Sequence, residues 1–485
     1  MQHEVELKLD LDSASADAIE ASGLHRRACT TERLRSHYFD TPEYTLRAAG
    51  LSLRLRERDG EWIQTVKADG PASTGLFDRA DWEIPAPGAE LIDDPRTPIA
   101  SLLGHRSGEL IELFTVSVER KTWRITAPKG EVAMMLDRGE VRSAERSEQF
   151  CELELELVRG DPAALFNLAK GIGTVAPVRI GVLSKAARGY RLRAQQVASF
   201  KNKAPRLDPD ENLTRAITAI TQACITHYRR NEAILLSDRS VEAVHQARIA
   251  LRRLRSALSL FRAVLPLNQV RMYQARLRVL AATLGEARDL DVMSASAKAS
   301  PMAQRLAAAR DEAYASLAAA LAGAETRRLM LDLAAWLFCG AWRHDLASAA
   351  SREMSPQKFA GAALDRAYRK VRKHSKHLAR LAPEARHELR KDAKKLRYTI
   401  EFISSLYPSP DQTRQRKRFV AAFTALLDSL GALNDREVAE ATLARLGLDG
   451  SEAAEALLAR WNHSRLLQDA EDARVRLFDL KPFWR

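Results

Sequence analysis

The chain has 485 residues, and its net charge of +13 is confined to one part: residues 1–200 hold 27 basic and 31 acidic side chains, the remainder 49 and 32. A part that basic asks for a polyanion, whether nucleic acid, membrane surface or polyphosphate. Four cysteines without CxxC spacing, the lack of an apolar stretch long enough for a bilayer and the lack of a GxGxxG or Walker-type loop exclude a disulfide framework, a membrane span and P-loop chemistry, and suit a cytoplasmic protein.

The first predicted element is a strand at the N-terminus. Side chains alternate across a strand, so Glu4, Glu6 and Lys8 share one face while Val5, Leu7 and Leu9 take the other. The device recurs at Leu51 to Arg56, where Arg54 and Arg56 alternate with leucines, and at Cys151 to Leu157, where Glu152, Glu154 and Glu156 do. Shorter strands are predicted around Thr65 and Lys67, Arg79 to Glu83, Phe114 to Arg124 and Val132 to Asp137. Many short strands with charge on one face predict a barrel with a polar interior, since closure removes the exposed edges. Its lumen would hold Arg54, Arg56, Lys67, Arg79, Arg120, Lys185 and Arg188, which grip phosphate oxygens, beside Glu4, Glu6, Asp137, Glu152, Glu154 and Glu156, which are hard oxygen donors. Both kinds of charge in one lumen make sense for a metal-bound polyphosphate.

The N-terminal part resembles a CYTH domain of the triphosphate tunnel metalloenzyme superfamily over roughly residues 1–195. The resemblance rests on Glu4-x-Glu6-x-Lys8, the Arg54/Arg56 pair, Lys67, Arg79, Arg120 in its Glu-Arg-Lys-Thr-Trp segment, Asp137, the Glu152 to Glu156 strand, and Lys185 with Arg188. It implies a closed antiparallel eight-stranded tunnel with flanking helices that hydrolyses triphosphates with Mg2+, or with Mn2+. The implied metal ligands are Glu4, Glu6, Asp137, Glu152, Glu154 and Glu156, of which Glu154 and Glu156 are favoured for the family's glutamate pair. Lys8, Glu6 and Asp137 are the implied catalytic groups, with Lys8 placing the attacking water. Lys8, Arg54, Arg56, Lys67, Arg79, Arg120, Lys185 and Arg188 are the implied phosphate ligands. The fold class expected for the whole chain is α+β and multidomain.

A linker is predicted at residues 198–210, where prolines interrupt any periodicity, between a domain at 1–197 and a helical one at 211–485. In the latter, His245, Arg248, Arg252, Arg253 and Arg255 are echoed 142 residues later by His387, Arg390, Lys394, Lys395 and Arg397, with Lys391 added. Leu284-Gly285 with Arg288 and Asp289 is echoed by Leu430-Gly431 with Asn434 and Asp435. Two helical bundles are predicted, at about 211–345 and 350–485. At 100° per residue His245, Arg248, Arg252 and Arg255 share an arc of about 80°, and Val244, Leu251 and Leu258 cluster to the other side of Arg255. A solvated face is the plainer reading of one such block. Two blocks almost without acidic i±4 partners favour a polyanion ligand.

This half resembles the CHAD domain, an α-helical module often fused behind CYTH. The resemblance implies binding of inorganic polyphosphate, and association with its granules, through His245, Arg248, Arg252, Arg253, Arg255, Arg288, His387, Arg390, Lys391, Lys394, Lys395 and Arg397. The expectation for the whole chain is an inorganic triphosphatase acting on tripolyphosphate, with long-chain polyphosphate rather than nucleic acid on the bundles. Thiamine triphosphate or another organic triphosphate, cyclisation of ATP, or a non-catalytic granule protein are the alternatives.

Overall fold

The computed structural model describes residues 2–23, 29–58, 60–68, 76–194, 197–202, 204–297 and 302–485. The chain forms two compact units, Met1–Phe200 with Gly323–Gly340, and Lys201–Ala322 with Ala341–Arg485. No described helix is long and apolar enough to cross a membrane.

The first unit is built on antiparallel strands β1 (Gln2–Leu11), β2 (Thr30–Asp40), β3 (Leu51–Arg58), β4 (Glu61–Ala68), β5 (Leu76–Ala86), β6 (Ile111–Ala127), β7 (Gly130–Ser143), β8 (Arg146–Gly160) and β9 (Arg179–Ile180). They join in the order β5-β4-β3-β2-β6-β7-β8-β1-β9. One edge of β1 pairs with β8 at residues 6–11, while the other pairs with β5 at residues 2–7 and with β9 at Leu9 and Asp10. Each of β1 to β8 therefore has a neighbour on both edges. The sheet is antiparallel, as expected, but it has nine strands rather than eight: the two-residue β9 uses the length of β1 that β5 leaves uncovered.

Strand alternation puts charge and apolar bulk on opposite faces. Leu7, Leu9, Leu153 and Leu155 are fully buried on the face covered by the helices Ser13–Ala21 and Ala163–Val175, with Ile19, Leu165 and Phe166. Each such side chain contributes about 1.5–3 kcal/mol through burial. One hydrophobic core thus lies outside the sheet's concave face, while the concave face carries the charged groups and a second apolar cluster with Phe114, Val116, Val141 and Phe150.

A third helix, Lys185–Arg193, carries two of the predicted cations and is fixed by two devices. Ser184 caps its N-terminus by accepting from the Ala187 amide. At its other end Tyr190 donates to Asp40, 2.7 Å away, whose carboxylate also accepts from the amides of Thr41, Leu46 and Arg47. Gly189 permits the close seating, because a Cβ there would lie 2.0 Å from the Phe114 ring. The helix Ala324–Cys339 also belongs to this unit: Phe338 stacks on Phe166 at 6.1 Å and Asp332 pairs with Lys170 at 2.9 Å.

The second unit is helical. Leu213–Ser237, Val241–Leu260, Leu267–Ser296 and Ala303–Ala322 pack as successive neighbours. Pro356–His374, Pro383–Ile403 and Pro410–Arg445 do so again, with His463–Asp479 against the last. The echoed blocks lie on Val241–Leu260 and Pro383–Ile403, which contact each other.

Candidate active site and a cationic helical face

A cavity of about 760 Å³ occupies the concave side of the sheet. Register explains its lining. Glu6 lies opposite Glu156, Lys8 opposite Glu154 and Asp10 opposite Glu152; Asp137 pairs with both Glu152 and Arg120. On the far strands Ser36 faces Arg56, Tyr38 faces Arg54, Arg54 faces Thr65, and Lys67 lies between Ser52 and Asp81. Within each strand these side chains share one parity, so a single face of the sheet collects them all.

Of the expected phosphate ligands, Lys8, Arg54, Arg56, Lys67, Arg120 and Lys185 line the cavity. Arg54 Nε and Thr65 Oγ1 are buried without a hydrogen-bond partner, and Lys67 is balanced by Asp81 at 2.9 Å. Arg188 does not line the cavity among the described residues. It is drawn into a buried network instead, 2.7 Å from Asp10, 3.5 Å from Glu152 and 3.7 Å from Glu148. The side chains of Glu4 and Arg79 lie outside the described residues, although their backbones pair with each other.

The expected metal ligands separate into two sets. Glu6 and Glu156 line the cavity with Glu154, and Lys8 lies 3.5 Å from Glu6 and bonds Glu154. Asp137, Glu152 and Glu154 are buried, and each offers an oxygen within 4.8 Å of the others. One Glu152 oxygen, Oε2, is buried without a hydrogen-bond donor. Three close carboxylates, with Glu152 Oε2 lacking a hydrogen-bond donor and 3.5 Å from Arg188 Nε, fit a hard divalent cation such as Mg2+ or Mn2+, which takes oxygen ligands. Cations surround them: Arg120 donates to Asp137 at 2.7 and 2.6 Å and also reaches Glu154, while Lys185 contacts all three.

These neighbours set the charge states. Burial alone would raise Asp137, but Lys185 and Arg120 outweigh it and hold the carboxyl well below the usual range. Glu152 is likewise lowered against burial by Lys185, Lys8 and Arg188. Burial first, then Arg54, pushes Arg56 down to about 9. Burial favours the neutral Tyr38 phenol, yet Arg54, Arg56 and Lys185 hold it below its ordinary value. A site that lowers an arginine and a tyrosine together carries a strong positive field.

Sequence reasoning passed over Asp10, Asp81, Thr65 and Tyr38. Asp10 continues the parity of Glu4, Glu6 and Lys8, and Asp81 that of Arg79, so both carried a readable signal. Thr65 likewise shares the parity of Lys67, whereas nothing local marks Tyr38, which faces the cavity through cross-strand pairing.

In the helical unit the two echoed blocks are joined in matching ways. Arg248 pairs with Asp289 at 2.9 Å and Arg390 with Asp435 at 3.6 Å. His387 bonds Asn434 at 3.2 Å, and Gly285 leaves room beside the Arg248 guanidinium, 3.7 Å from its Cβ position. Arg248, Arg252, Arg390 and Lys394 act on one another electrostatically across the helix pair. Burial, then Arg252, Arg390 and Arg248, pushes the Lys394 ammonium down to about 6. Burial and then Arg288 lower His245; burial, Arg278 and Arg252 lower Arg255.

Other members of the expected set lie elsewhere. Arg253 is 3% exposed, turned away from that face, bonded to Glu401 and seated over Tyr398 and Phe402. At 100° per residue it stands about 80° from His245 on the side away from Arg248, Arg252 and Arg255. Arg397 is held by Glu401 at 3.0 Å and Thr424 at 2.7 Å. Lys391 and Lys395 are exposed, paired with Glu388 at 2.7 Å and Asp392 at 3.8 Å.

Comparison with known proteins places both units. The CYTH domain model matches residues 2–190 and the CHAD domain model residues 219–444. An inorganic triphosphatase of Haemophilus influenzae is 27% identical over 169 residues, 34% of this chain and 47% of that protein. The chain thus spans about half the length of that relative. An uncharacterised protein of Mycobacterium tuberculosis is 27% identical over 440 residues, 82% of this chain and 81% of its own. The structure of the CHAD domain from the plant Ricinus communis is 30% identical, covering 59% of this chain and 98% of that one, with a TM-score of 0.48. A candidate adenylyl cyclase of Hippeastrum with a dominant triphosphatase activity is 19% identical, covering 39% and 95%, with a TM-score of 0.31. The chain therefore belongs to the CYTH family through residues 2–190 and to the CHAD family through residues 219–444.

Proposed function

We propose that the first unit is a metal-dependent inorganic triphosphatase that hydrolyses tripolyphosphate in its charged cavity. We propose also that the second unit binds long-chain inorganic polyphosphate and brings the protein to polyphosphate granules in the cytoplasm. One observation carries the enzymatic reading: Lys8, Arg54, Arg56, Lys67, Arg120 and Lys185 converge on a cavity that also holds Glu6, Glu154 and Glu156. A polyphosphate brings negative charge to the cations, and a divalent cation reconciles it with the carboxylates. The inorganic triphosphatase relative supports the same reading for residues that it shares with this chain.

Each group has a task. Arg54, Arg56 and Lys67 hold phosphate oxygens, with the partnerless Arg54 Nε and Thr65 Oγ1 as available donors. Asp137, Glu152 and Glu154 would hold the divalent cation, with Glu6 and Glu156 facing the phosphate chain. Bound there, the cation supplies neutralisation of the charge that develops on the phosphate oxygens. Lys8, held between Glu6 and Glu154, orients the attacking water. No covalent nucleophile is needed, because phosphoryl transfer is achieved chiefly by positioning and electrostatics.

Phosphate release from tripolyphosphate, thiamine triphosphate and ATP tests this, with Mg2+, Mn2+ or EDTA, on the natural chain and Glu6→Gln. Metal-dependent cleavage of tripolyphosphate that is lost in Glu6→Gln is expected. Preference for either organic triphosphate would move the substrate, and inactivity on all three would reduce the cavity to a receptor.

A further inference from the structure

Three carboxylates and one ammonium share a single centre. Lys185 Nζ lies 2.6 Å from Asp137 and 3.0 Å from Glu154, and it is bonded to Glu152. These are the same three residues whose oxygens lie within 4.8 Å of one another. An ammonium and a hard divalent cation make the same demand on such a cluster, several oxygens at short range, and the middle of a group this small takes only one of them. Lys185 also lines the cavity beside Lys8, Arg54 and Arg56. Its flexible four-carbon stem has carboxylates on one side and the phosphate-binding space on the other.

The neighbouring cations lack that freedom. Arg120 is fixed by two parallel hydrogen bonds to Asp137. Arg188 is tied to Asp10 at 2.7 Å. Lys185 is held at its root, where Ser184 caps the helix and Tyr190 anchors it to Asp40, and its ammonium meets the three carboxylates and, at 5.9 Å, the Phe150 ring.

We propose, resting on the triphosphatase reading, that Lys185 is the resident counter-ion of this cluster and changes places with the divalent cation, its ammonium passing from Asp137 and Glu152 to a phosphate oxygen in the cavity. One side chain then couples the two ligands. A cation arriving alone must drive a buried ammonium into a space already crowded with positive charge. A cation arriving with a phosphate chain moves it onto a waiting anion. Lys185 thereby favours loading of metal and triphosphate together over loading of metal alone.

The test is Mn2+ binding to the full chain with no phosphate compound present, read from the electron paramagnetic resonance of free Mn2+. Lys185→Gln is expected to bind one Mn2+ about tenfold tighter than the natural chain. Lys185→Arg, which keeps a cation, should stay as weak as the natural chain, and adding Glu152→Gln to Lys185→Gln should abolish the gain. Equal or weaker binding by Lys185→Gln, or a gain that survives Glu152→Gln, overturns the proposal. A second readout needs no variant: acetylation of Lys185 in the natural chain, followed by peptide mass spectrometry, should rise at saturating Mn2+, and an unchanged or lower yield overturns the exchange. Neither readout requires turnover. A chain that shows both yet cleaves no triphosphate retains the exchange and loses the enzymatic reading; one that cleaves tripolyphosphate and shows neither loses only the exchange.

Discussion

Lys394 should make polyphosphate binding take up a proton. Its ammonium is pushed down to about 6 by burial and by Arg252, Arg390 and Arg248. A group at about 6 is roughly 3% protonated at pH 7.5, so the side chain is neutral before the ligand arrives. A polyanion laid across those three arginines cancels the repulsion and returns the lysine toward its ordinary value. If the bound value reaches about 9, close to one proton is taken up per site, and affinity falls about twentyfold from pH 7 to pH 8.5. His245 is lowered too, by burial and then Arg288, and it stays in place in Lys394→Met, so that variant separates the two groups. Calorimetry with long-chain polyphosphate at pH 7.5, in two buffers of different ionisation enthalpy at fixed ionic strength, counts the protons directly. The expected slope is about one proton for the natural chain and near zero for Lys394→Met. A slope near zero for the natural chain, or the same slope in both proteins, would refute the reasoning.

The same depression has a cost for folding. Between about 6 and the ordinary lysine value of 10.5 the unfolded chain binds a proton that the folded one does not, so stability rises with pH across that window. Lys394→Met should therefore raise the midpoint of thermal unfolding more at pH 7 than at pH 10. Asp137 works in the opposite sense: its lowered carboxyl contributes stability that is present above the ordinary value of 3.8 and lost as pH falls through the folded value, so Asp137→Asn should flatten the acid limb of the stability curve. It should also lower stability at pH 7 by about 1–3 kcal/mol, since Lys185 and Arg120 lose one of the carboxylates they share and keep Glu154. Gly189→Ala forces a methyl into the Phe114 ring and should cost about 1–3 kcal/mol in urea titration, with weaker binding of tripolyphosphate because the displaced helix carries Lys185. A neutral effect on both would show that the helix seat is not what places that lysine.

Much of the first unit was legible because a strand's period of two sorts charge from bulk without help from the rest of the fold. Glu6, Lys8, Arg54, Arg56 and Glu154 could be assigned to one face from spacing, and the cavity collects them. Lys185 could not be placed in that way. It sits on a helix, and its approach to the carboxylates depends on Asp40, Tyr190 and Gly189, contacts between residues up to 150 positions apart. The split among the carboxylates was hidden for a related reason: burial depth is set by what packs behind a strand. In the helical unit the same angular reckoning that gathers His245, Arg248, Arg252 and Arg255 already separates Arg253, whose place in the expected set came from the repeat. The membership of Gly323–Gly340 in the first unit had no local signature at all, since an apolar helix stripe does not say which surface it meets.

That helix changes what can be cut. The polypeptide leaves the first unit after Phe200, returns for Gly323–Gly340 and leaves again, so the two units are stitched by three covalent crossings rather than one. A protease nick in the 198–210 segment leaves the pieces tethered, and ending a gene fragment at that segment strips the first unit of Phe338 and Asp332, uncovering Phe166 and leaving Lys170 without its partner. In the same way, a fragment starting at 211 carries an apolar helix with no home. The halves are separate folds but not interchangeable cassettes, and recombination that trades one for another must carry the returning helix with the strands it serves.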